Sequence, residues 1–272
     1  MEYDIRPLSF GEILDRSFRV LMDNALVLIA IAAVLLVPVR LMMSGGRIMF
    51  FVAEIAVLAA GLLVHAALVH ATTECYLGQT AAVEQSYRFG WSIYWPFIGT
   101  FLLAYLVPAL AVVVPMVVVG VLIAKTAPSP ALAILIGVAA GAIVFFIVIR
   151  WSLIGPIMIV ERRYGRAAMK RSSALVKGAW WRTLGILLAA GLIIQVPAAV
   201  LGLIWNSIPI LGAILTGLTS AIGSAYSTIV LVLYYFDRRC RVEDFDLKRL
   251  AEQVRAESTQ FGPSTPGVPT VG

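Results

Sequence analysis

Residues 131–165 have the sequence ALAILIGVAAGAIVFFIVIRWSLIGPIMIVERRYG, which begins with an uncharged run of membrane-spanning length. A helix needs about 20 apolar residues to cross a bilayer core, and residues 131–149 contain no charged side chain. Arg150 ends this run, and Pro156 follows soon after. The pattern predicts a membrane-spanning helix that ends near Arg150 and a kinked segment that continues to residue 160.

Five further apolar runs of comparable length occur along the chain. The composition agrees, because 61% of the 272 residues are hydrophobic and only 13% are charged, whereas soluble domains carry roughly 25% charged residues. The sequence therefore predicts an all-α integral membrane protein with six transmembrane helices. The predicted spans are residues 25–43, 48–73, 97–124, 131–150, 183–205 and 209–236.

Lysines and arginines are distributed unevenly between the two sides of these spans. Seventeen of the 21 lie on the side that holds both termini, and three lie on the other side, namely Arg40, Arg47 and Lys125. Loops rich in lysine and arginine stay in the cytoplasm, so both termini are predicted to be cytoplasmic. Residues 1–24 are polar and contain acids, which argues against a cleavable signal peptide.

A short segment with a shared pattern precedes every second span: EILDRSFRV, AAVEQSYRF and AAMKRSSAL, in which Ser17, Ser86 and Ser172 align. Self-similarity at regular spacing indicates repeated units. The prediction is three repeated helical hairpins, each preceded by an interfacial amphipathic helix. The repeats cover residues 7–76, 77–163 and 164–240, within a polytopic membrane domain over residues 1–240.

The amphipathic pattern is clearest in residues 163–180, where four basic residues share one helical face. A helix of this kind can lie in the membrane interface, and its basic face attracts anionic headgroups. The predicted headgroup contacts are Arg163, Arg166, Lys170 and Lys177.

The chain after the last span divides into two parts. Residues 241–257 carry apolar side chains at helical spacing and are predicted to form a short cytoplasmic amphipathic helix. Residues 258–272 are rich in proline, glycine and threonine and have little apolar surface to bury, so they are predicted to be disordered.

Four ionisable residues are predicted to lie at membrane depth and form a candidate intramembrane polar site, because such groups are expensive in lipid and usually face protein or water. They are Arg150, His70, His65 and Glu54. Three roles are open for Arg150: a boundary anchor whose long stem reaches water, a member of an ion pair with an acid such as Glu74 or Glu161, or part of a substrate or proton path.

Catalytic chemistry is not predicted from these residues. The two histidines are five positions apart, which places them on different helical faces, and a metal site needs more ligands than two. No HExxH, phosphate-binding loop or GxSxG motif is present. We therefore expect no catalytic residue, no metal and no cofactor.

Three stretches resemble a known family. RPLSFGEILDRSFRVLMDN, RWSLIGPIMIVERRYGRAAMKRSSALVKGAWWRTLG and YYFDRRCRVEDFDLKRLA are similar to the membrane domain attached to some bacterial glycerophosphoryl diester phosphodiesterases, which also occurs free-standing. The resemblance implies a polytopic helical fold in the bacterial cytoplasmic membrane. It does not carry the phosphodiesterase activity across, because that chemistry belongs to a separate soluble barrel.

The expected function is that of a non-enzymatic multi-pass membrane protein, a scaffold or accessory component that organises lipids or partner proteins. The alternative is a small transporter or lipid-handling protein with a cavity near Arg150 and His70. The expected partners are membrane lipids with anionic headgroups and unidentified membrane or cytoplasmic proteins, and no nucleic acid is expected.

Overall fold

The structure is a computed structural model that describes residues 6–43, 47–126, 130–205 and 208–243. Regular secondary structure within these ranges is entirely helical, which confirms the all-α prediction. The helices are α1 (Phe10–Asp23), α2 (Ala25–Met42), α3 (Arg47–Tyr76), α4 (Val83–Ser92), α5 (Tyr94–Phe101), α6 (Val107–Thr126), α7 (Pro130–Arg150), α8 (Ile154–Val160), α9 (Arg166–Val176), α10 (Trp180–Trp205) and α11 (Pro209–Glu243), and a π-helical segment, Leu102–Leu106, joins α5 to α6.

Six stretches of the described chain are long and apolar enough to cross a membrane. This confirms a multi-pass membrane protein. The stretches are Ala25–Met42, Val52–Tyr76, Tyr94–Val121, Ile134–Val160, Trp180–Trp205 and Ile210–Glu243. The predicted break is also confirmed, because α7 ends at Arg150 and α8 begins at Ile154.

The last helix continues further than predicted, to Glu243 rather than residue 236. Residues 241–243 therefore belong to α11 and not to a separate helix. The remainder of the predicted amphipathic helix, residues 244–257, and the predicted disordered tail, residues 258–272, lie outside the described residues.

The centre of the fold is α11, which packs against α1, α2, α3, α8, α9 and α10. Small residues permit this, as is common where membrane helices approach closely. A Cβ added to Gly217 would lie 2.9 Å from the Cα of Val37 on α2, and one added to Gly223 would lie 2.7 Å from Cγ2 of Ile194 on α10. Glycine at these two positions therefore sets how near α11 lies to its neighbours.

The three aligned serines occupy three short helices that each precede a span, α1, α4 and α9. Ser17, Ser86 and Ser172 are all 0% exposed. The hydroxyls of Ser17 and Ser86 donate to carbonyls one turn earlier, at 2.6 and 2.8 Å, and that of Ser172 donates to the Arg150 carbonyl at 3.0 Å. The shared burial supports the repeat, which stays a prediction.

The segment predicted to lie in the interface with its apolar side in lipid is arranged differently. Helix α9 is shorter than residues 163–180, and its buried side packs on α7, α8 and α11. The reason is α8, whose residues from Ile154 to Ile159 are all buried and which occupies the place expected for acyl chains. The four predicted headgroup contacts, Arg163, Arg166, Lys170 and Lys177, are exposed.

The pair of helices α6 and α7 is packed differently from the pairs α2–α3 and α10–α11. Helices α6 and α7 pack against each other, but only 6% of an apolar 18-residue stretch in each of their two spans is buried, compared with 44% in the span that contains α11. Most of these two stretches therefore presents apolar surface to its surroundings. The arrangement of the spans as three repeated hairpins stays a prediction.

A network of polar contacts fastens the N-terminal segment to the end of α11. The side chain of Asp237 is fully buried and accepts hydrogen bonds from the Leu8 amide at 2.8 Å, from Arg182 at 3.2 Å and from Arg241 at 2.9 Å. Both arginines also donate to the Leu8 carbonyl, at 2.7 and 2.6 Å. A single buried carboxylate thus joins the chain before α1 to α10 and α11.

Helix α1 begins with a reciprocal cap just after this anchor. The Glu12 amide donates to the Ser9 hydroxyl at 3.3 Å, and the Ser9 amide donates to the Glu12 carboxylate at 2.7 Å. Hydrogen bonds from the Ser9 amide and from Arg6 lower the pKa of Glu12 to about 2. The S-x-x-E sequence that forms such caps is visible as SFGE at residues 9–12.

Candidate binding cleft at membrane depth

The middle of α11 carries an unusual density of hydroxyl side chains for a membrane span. Six of the thirteen residues from 216 to 228 are serine or threonine: Thr216, Thr219, Ser220, Ser224, Ser227 and Thr228. Several recur at steps of three and four, which places them along one side of the helix. This side faces a cleft of about 380 Å³, within the size range of small-molecule sites.

Four helices form the walls of the cleft. Helix α11 supplies the hydroxyls, α10 supplies residues from Ile194 to Trp205, and α2 and α3 supply Arg40 and His65. From Thr216 to Thr228 the cleft follows α11 for about 18 Å at 1.5 Å per residue. It therefore extends across a large part of the roughly 30 Å apolar core.

Some of these hydroxyl groups donate hydrogen bonds to backbone carbonyls of α11, and others are available to bind a ligand. Thr219 donates to the Leu215 carbonyl at 2.9 Å and Ser220 donates to the Thr216 carbonyl at 2.8 Å. Ser224 and Ser227 have no hydrogen-bond partner within the part of the chain that the structure describes. These two residues give the cleft donors and acceptors that a bound molecule can use.

Arg40 lines the cleft near the end of α2, the end at which α11 begins. Its Nη1 donates to the sulfur of Met43 at 3.4 Å, and no acidic side chain among the described residues forms an ion pair with it. A permanently charged guanidinium at the margin of a membrane span normally meets an acid, water or a ligand. In this cleft it offers a cationic contact.

His65 lies deeper in the same cleft and is the one residue of the predicted polar site that lines it. Its Nδ1 is 3.4 Å from the Thr228 hydroxyl. The Phe97 and Phe101 rings lie with their centroids 6.1 Å from the imidazole centroid. The imidazole also rests on the backbone of α8, because a Cβ added to Gly155 would be 2.5 Å from Nε2.

Because of this close contact, Gly155→Ala tests whether the His65 imidazole is packed against α8. The added methyl group is expected to displace the imidazole and lower the free energy of unfolding by about 1–3 kcal/mol, as overpacking usually does. Removing the imidazole should relieve the clash, so Gly155→Ala is expected to change stability little in a His65→Ala background. Thermal unfolding of the four proteins in detergent gives the coupling between the two sites.

The matched control is Gly141→Ala on α7, where no atom lies within 4 Å of the added Cβ. Both substitutions exchange a helical glycine for alanine and so share the gain in helix propensity. If Gly155→Ala and Gly141→Ala unfold at the same temperature, His65 is not held against α8.

The other three residues of the predicted polar site lie outside the cleft. His70 is stacked on Phe89 with centroids 4.1 Å apart, and its Nδ1 is 3.5 Å from a Glu74 carboxylate oxygen. Glu54 is exposed on α3. The structure therefore does not bring Arg150, His70, His65 and Glu54 together, and the cleft is lined by His65 and Arg40 but not by Arg150 or His70. A cavity near Arg150 and His70 stays a prediction.

Arg150 is exposed at the last position of α7. Its Nε donates to the Ser173 hydroxyl at 3.0 Å, and the same hydroxyl accepts from Trp151 at 3.0 Å. No described acid forms an ion pair with it, in contrast to the pairing considered with Glu74 or Glu161. Glu161 is bound instead by Arg171 at 2.9 Å and by the Tyr235 hydroxyl at 3.0 Å.

The sequence interpretation missed most of the residues that form the cleft. In the sequence, Arg40 counts only among the basic residues on the side opposite the termini, and the serines and threonines of α11 carry no charge that would single them out. One signal is present, namely six serines and threonines in thirteen residues of an otherwise apolar span. Such a cluster in a membrane helix indicates a side that faces protein or a polar cavity.

Comparison with known proteins supplies a family and no described activity. The matching family is described as "Domain of unknown function (DUF8558)" and covers residues 47–264, from α3 to beyond α11. No curated protein and no solved structure matches the chain. The resemblance to the phosphodiesterase membrane domain stays a prediction. Because the match covers most of its length, the chain belongs to the DUF8558 family.

Proposed function

We propose that this membrane protein binds a small polar or amphiphilic molecule in the cleft between α2, α3, α10 and α11, as a lipid-handling or transport component. The observation that carries the proposal is the cleft itself, a hydroxyl-lined space at membrane depth. At one end lies the guanidinium of Arg40, which forms no ion pair with a described acid, and at the other lies His65. Polar residues within membrane spans commonly mark substrate pathways.

The lining indicates the chemistry of the ligand. Arg40 favours an anionic group near one end of the cleft, and Ser224 and Ser227 favour hydroxyl, amide or ester groups beside α11. The lining also contains apolar side chains, among them Ile194 of α10 and Leu231 of α11. A molecule with an anionic or hydrogen-bonding head and an apolar body fits this combination.

The proposed role is binding or movement of the molecule and not its chemical conversion. Among the described residues, the cleft lining contains one histidine and one arginine but no aspartate, glutamate or cysteine. An imidazole beside a threonine hydroxyl has no carboxylate there to orient it as a general base. This supports the non-enzymatic role proposed for the protein.

A scaffold function is the second candidate and rests on the α6–α7 hairpin. An apolar 18-residue stretch in each of its two spans is only 6% buried, so its apolar faces can contact lipid or a partner membrane protein. The proposed setting for either function is the bacterial cytoplasmic membrane with cytoplasmic termini. The excess of lysine and arginine on the terminal side supports this orientation.

The test is to identify what co-purifies with the protein and whether the cleft holds it. Wild-type protein is extracted in mild detergent, and bound lipids and small molecules are identified by mass spectrometry. Ser224→Leu should fill the cleft and Arg40→Gln should remove its cation, so both are expected to lose most of the bound molecule. Ser224→Leu should still fold, because leucine is favourable in a membrane helix.

The matched control is Ala199→Leu, which adds the same side chain to an exposed position of α10 and should retain the molecule. If wild type and the Ser224→Leu variant carry the same molecules in the same amounts, the cleft is not the binding site. Recovery of a stoichiometric partner protein without a bound small molecule would favour the scaffold function.

A further inference from the structure

A second pocket lies at the other end of α10, away from the cleft. It has a volume of about 590 Å³ and is formed by the turn that precedes α10, by the first turn of α10 and by the last turns of α11. Gly178, with φ of 76°, allows the chain to reverse there between α9 and α10. The side chains that give the pocket its character are Trp180, Trp181, Arg182, Arg238 and Arg241.

Positive charge exceeds negative charge in this pocket. Asp237 is the carboxylate beside it, and Arg182 and Arg241 both pair with this single group, at 3.2 and 2.9 Å. Arg238 forms no ion pair with any described acid. Three guanidinium groups are therefore balanced by one carboxylate among the described residues, which leaves two positive charges.

Arg238 is the most informative of the three arginines because it is only 8% exposed. Its Nε donates to the Leu175 carbonyl at 2.8 Å, which fixes the side chain in place. Its two terminal nitrogens have no hydrogen-bond partner within the described chain. A buried guanidinium is unfavourable without an anionic partner, and its paired N–H groups match the oxygens of a phosphate.

The surroundings of the pocket suit a ligand with apolar chains. Trp181 is 78% exposed beside it, and Leu188 and Leu192 follow on the same face of α10, 52% and 61% exposed. Tryptophan favours the headgroup level of a bilayer. A phosphate held in the pocket would therefore have an exposed apolar strip next to it on which acyl chains can lie.

We propose that the pocket formed by Arg182, Arg238 and Arg241 binds a phosphate group. The phosphate belongs either to the headgroup of an anionic phospholipid or to a soluble phosphate compound, and the apolar strip of α10 favours the phospholipid. This site is separate from the cleft and does not depend on the function proposed for it. It also differs from the exposed basic residues of α9, which line no part of it.

Thermal unfolding in a neutral detergent tests the proposal with three probes. Phosphatidylglycerol in mixed micelles is expected to raise the unfolding temperature of the wild type by several degrees. Diacylglycerol, which lacks the phosphate, is expected to have no effect. Inorganic phosphate, compared with chloride at equal ionic strength, tests the soluble source. Salt is kept near physiological strength, where the attraction between exposed charges more than about 8 Å apart is largely screened.

Substitutions of Arg238 test whether the stabilisation by phosphatidylglycerol comes from this pocket. Arg238→Gln is expected to raise the phosphatidylglycerol concentration for half-maximal stabilisation about tenfold, the loss of one strong charge-assisted contact. Arg238→Lys keeps the charge and loses the paired geometry, so a smaller increase is expected, and this variant serves if Arg238→Gln does not fold. Arg88→Gln removes an exposed charge of α4, away from the pocket, and should leave the concentration unchanged.

The outcomes are distinct. A response to inorganic phosphate equal to the lipid response supports the site and identifies its source as a soluble phosphate. A lipid response without a phosphate response supports a headgroup site. The proposal is overturned if the wild type responds to neither probe, or if wild type and both Arg238 variants respond at the same concentrations.

Discussion

Replacing Asp237 by asparagine is expected to destabilise the protein more than any other single loss of charge in the described chain. The carboxylate is 0% exposed and accepts three hydrogen bonds, two of them from arginines. Asparagine keeps the shape but leaves Arg182 and Arg241 without their counter-charge. Breaking a buried pair costs about 3–5 kcal/mol, and because both arginines are partly exposed we expect about 3 kcal/mol.

Two measurements check this expectation. Thermal unfolding in detergent should show the loss of stability, and limited proteolysis should show cleavage near the N-terminus, because Leu8 loses its charged acceptor. The matched control is Asp15→Asn, which breaks an exposed pair with Arg19 and should change the free energy of unfolding by about 0–1 kcal/mol. Equal stability of the two variants would show that Asp237 does not hold the N-terminal segment.

Replacing Gly217 by leucine is expected to separate α11 from α2. Even the first added atom would lie 2.9 Å from the Cα of Val37 and 3.0 Å from its Cγ2. A side chain can relieve a close contact by changing its rotamer, but a Cα atom cannot, so the two helices must move apart. We expect a loss of about 3 kcal/mol, the upper part of the range for overpacking, measured as a lower unfolding temperature and a lower yield of monodisperse protein.

The added side chain would meet a backbone atom of Val37, and this allows a control that separates a backbone contact from a side-chain contact. Shortening the neighbour with Val37→Ala removes Cγ2 but leaves the Cα, so it should not restore the Gly217→Leu variant. This contrasts with the rescue expected for Gly155→Ala by His65→Ala, where the obstacle is a ring. Gly191→Leu on α10, with no atom within 4 Å of its added Cβ, should be tolerated. Restoration of stability by Val37→Ala would contradict the backbone contact.

The sequence predicts only part of the candidate site. His65 lies in the cleft as a polar residue at membrane depth was expected to do, whereas Glu54, His70 and Arg150 lie elsewhere. The spans are apolar on all sides, since lipid and protein interior are equally apolar, so their periodicity does not reveal which face points inward. Their ionisable side chains make all four residues candidates in the sequence, and only the packing of the helices shows that His65 alone of the four lines the cleft.

The helical class, the six spans and the break after Arg150 can be predicted from the sequence. These depend on local properties, because a chain in lipid must satisfy its backbone hydrogen bonds within each helix. The sequence does not predict that α11 lies at the centre, that Asp237 accepts a hydrogen bond from Leu8, or that Arg40 and His65 share a cleft with the serines of α11. Those contacts join residues far apart in the chain, and they depend on how closely small residues let helices approach.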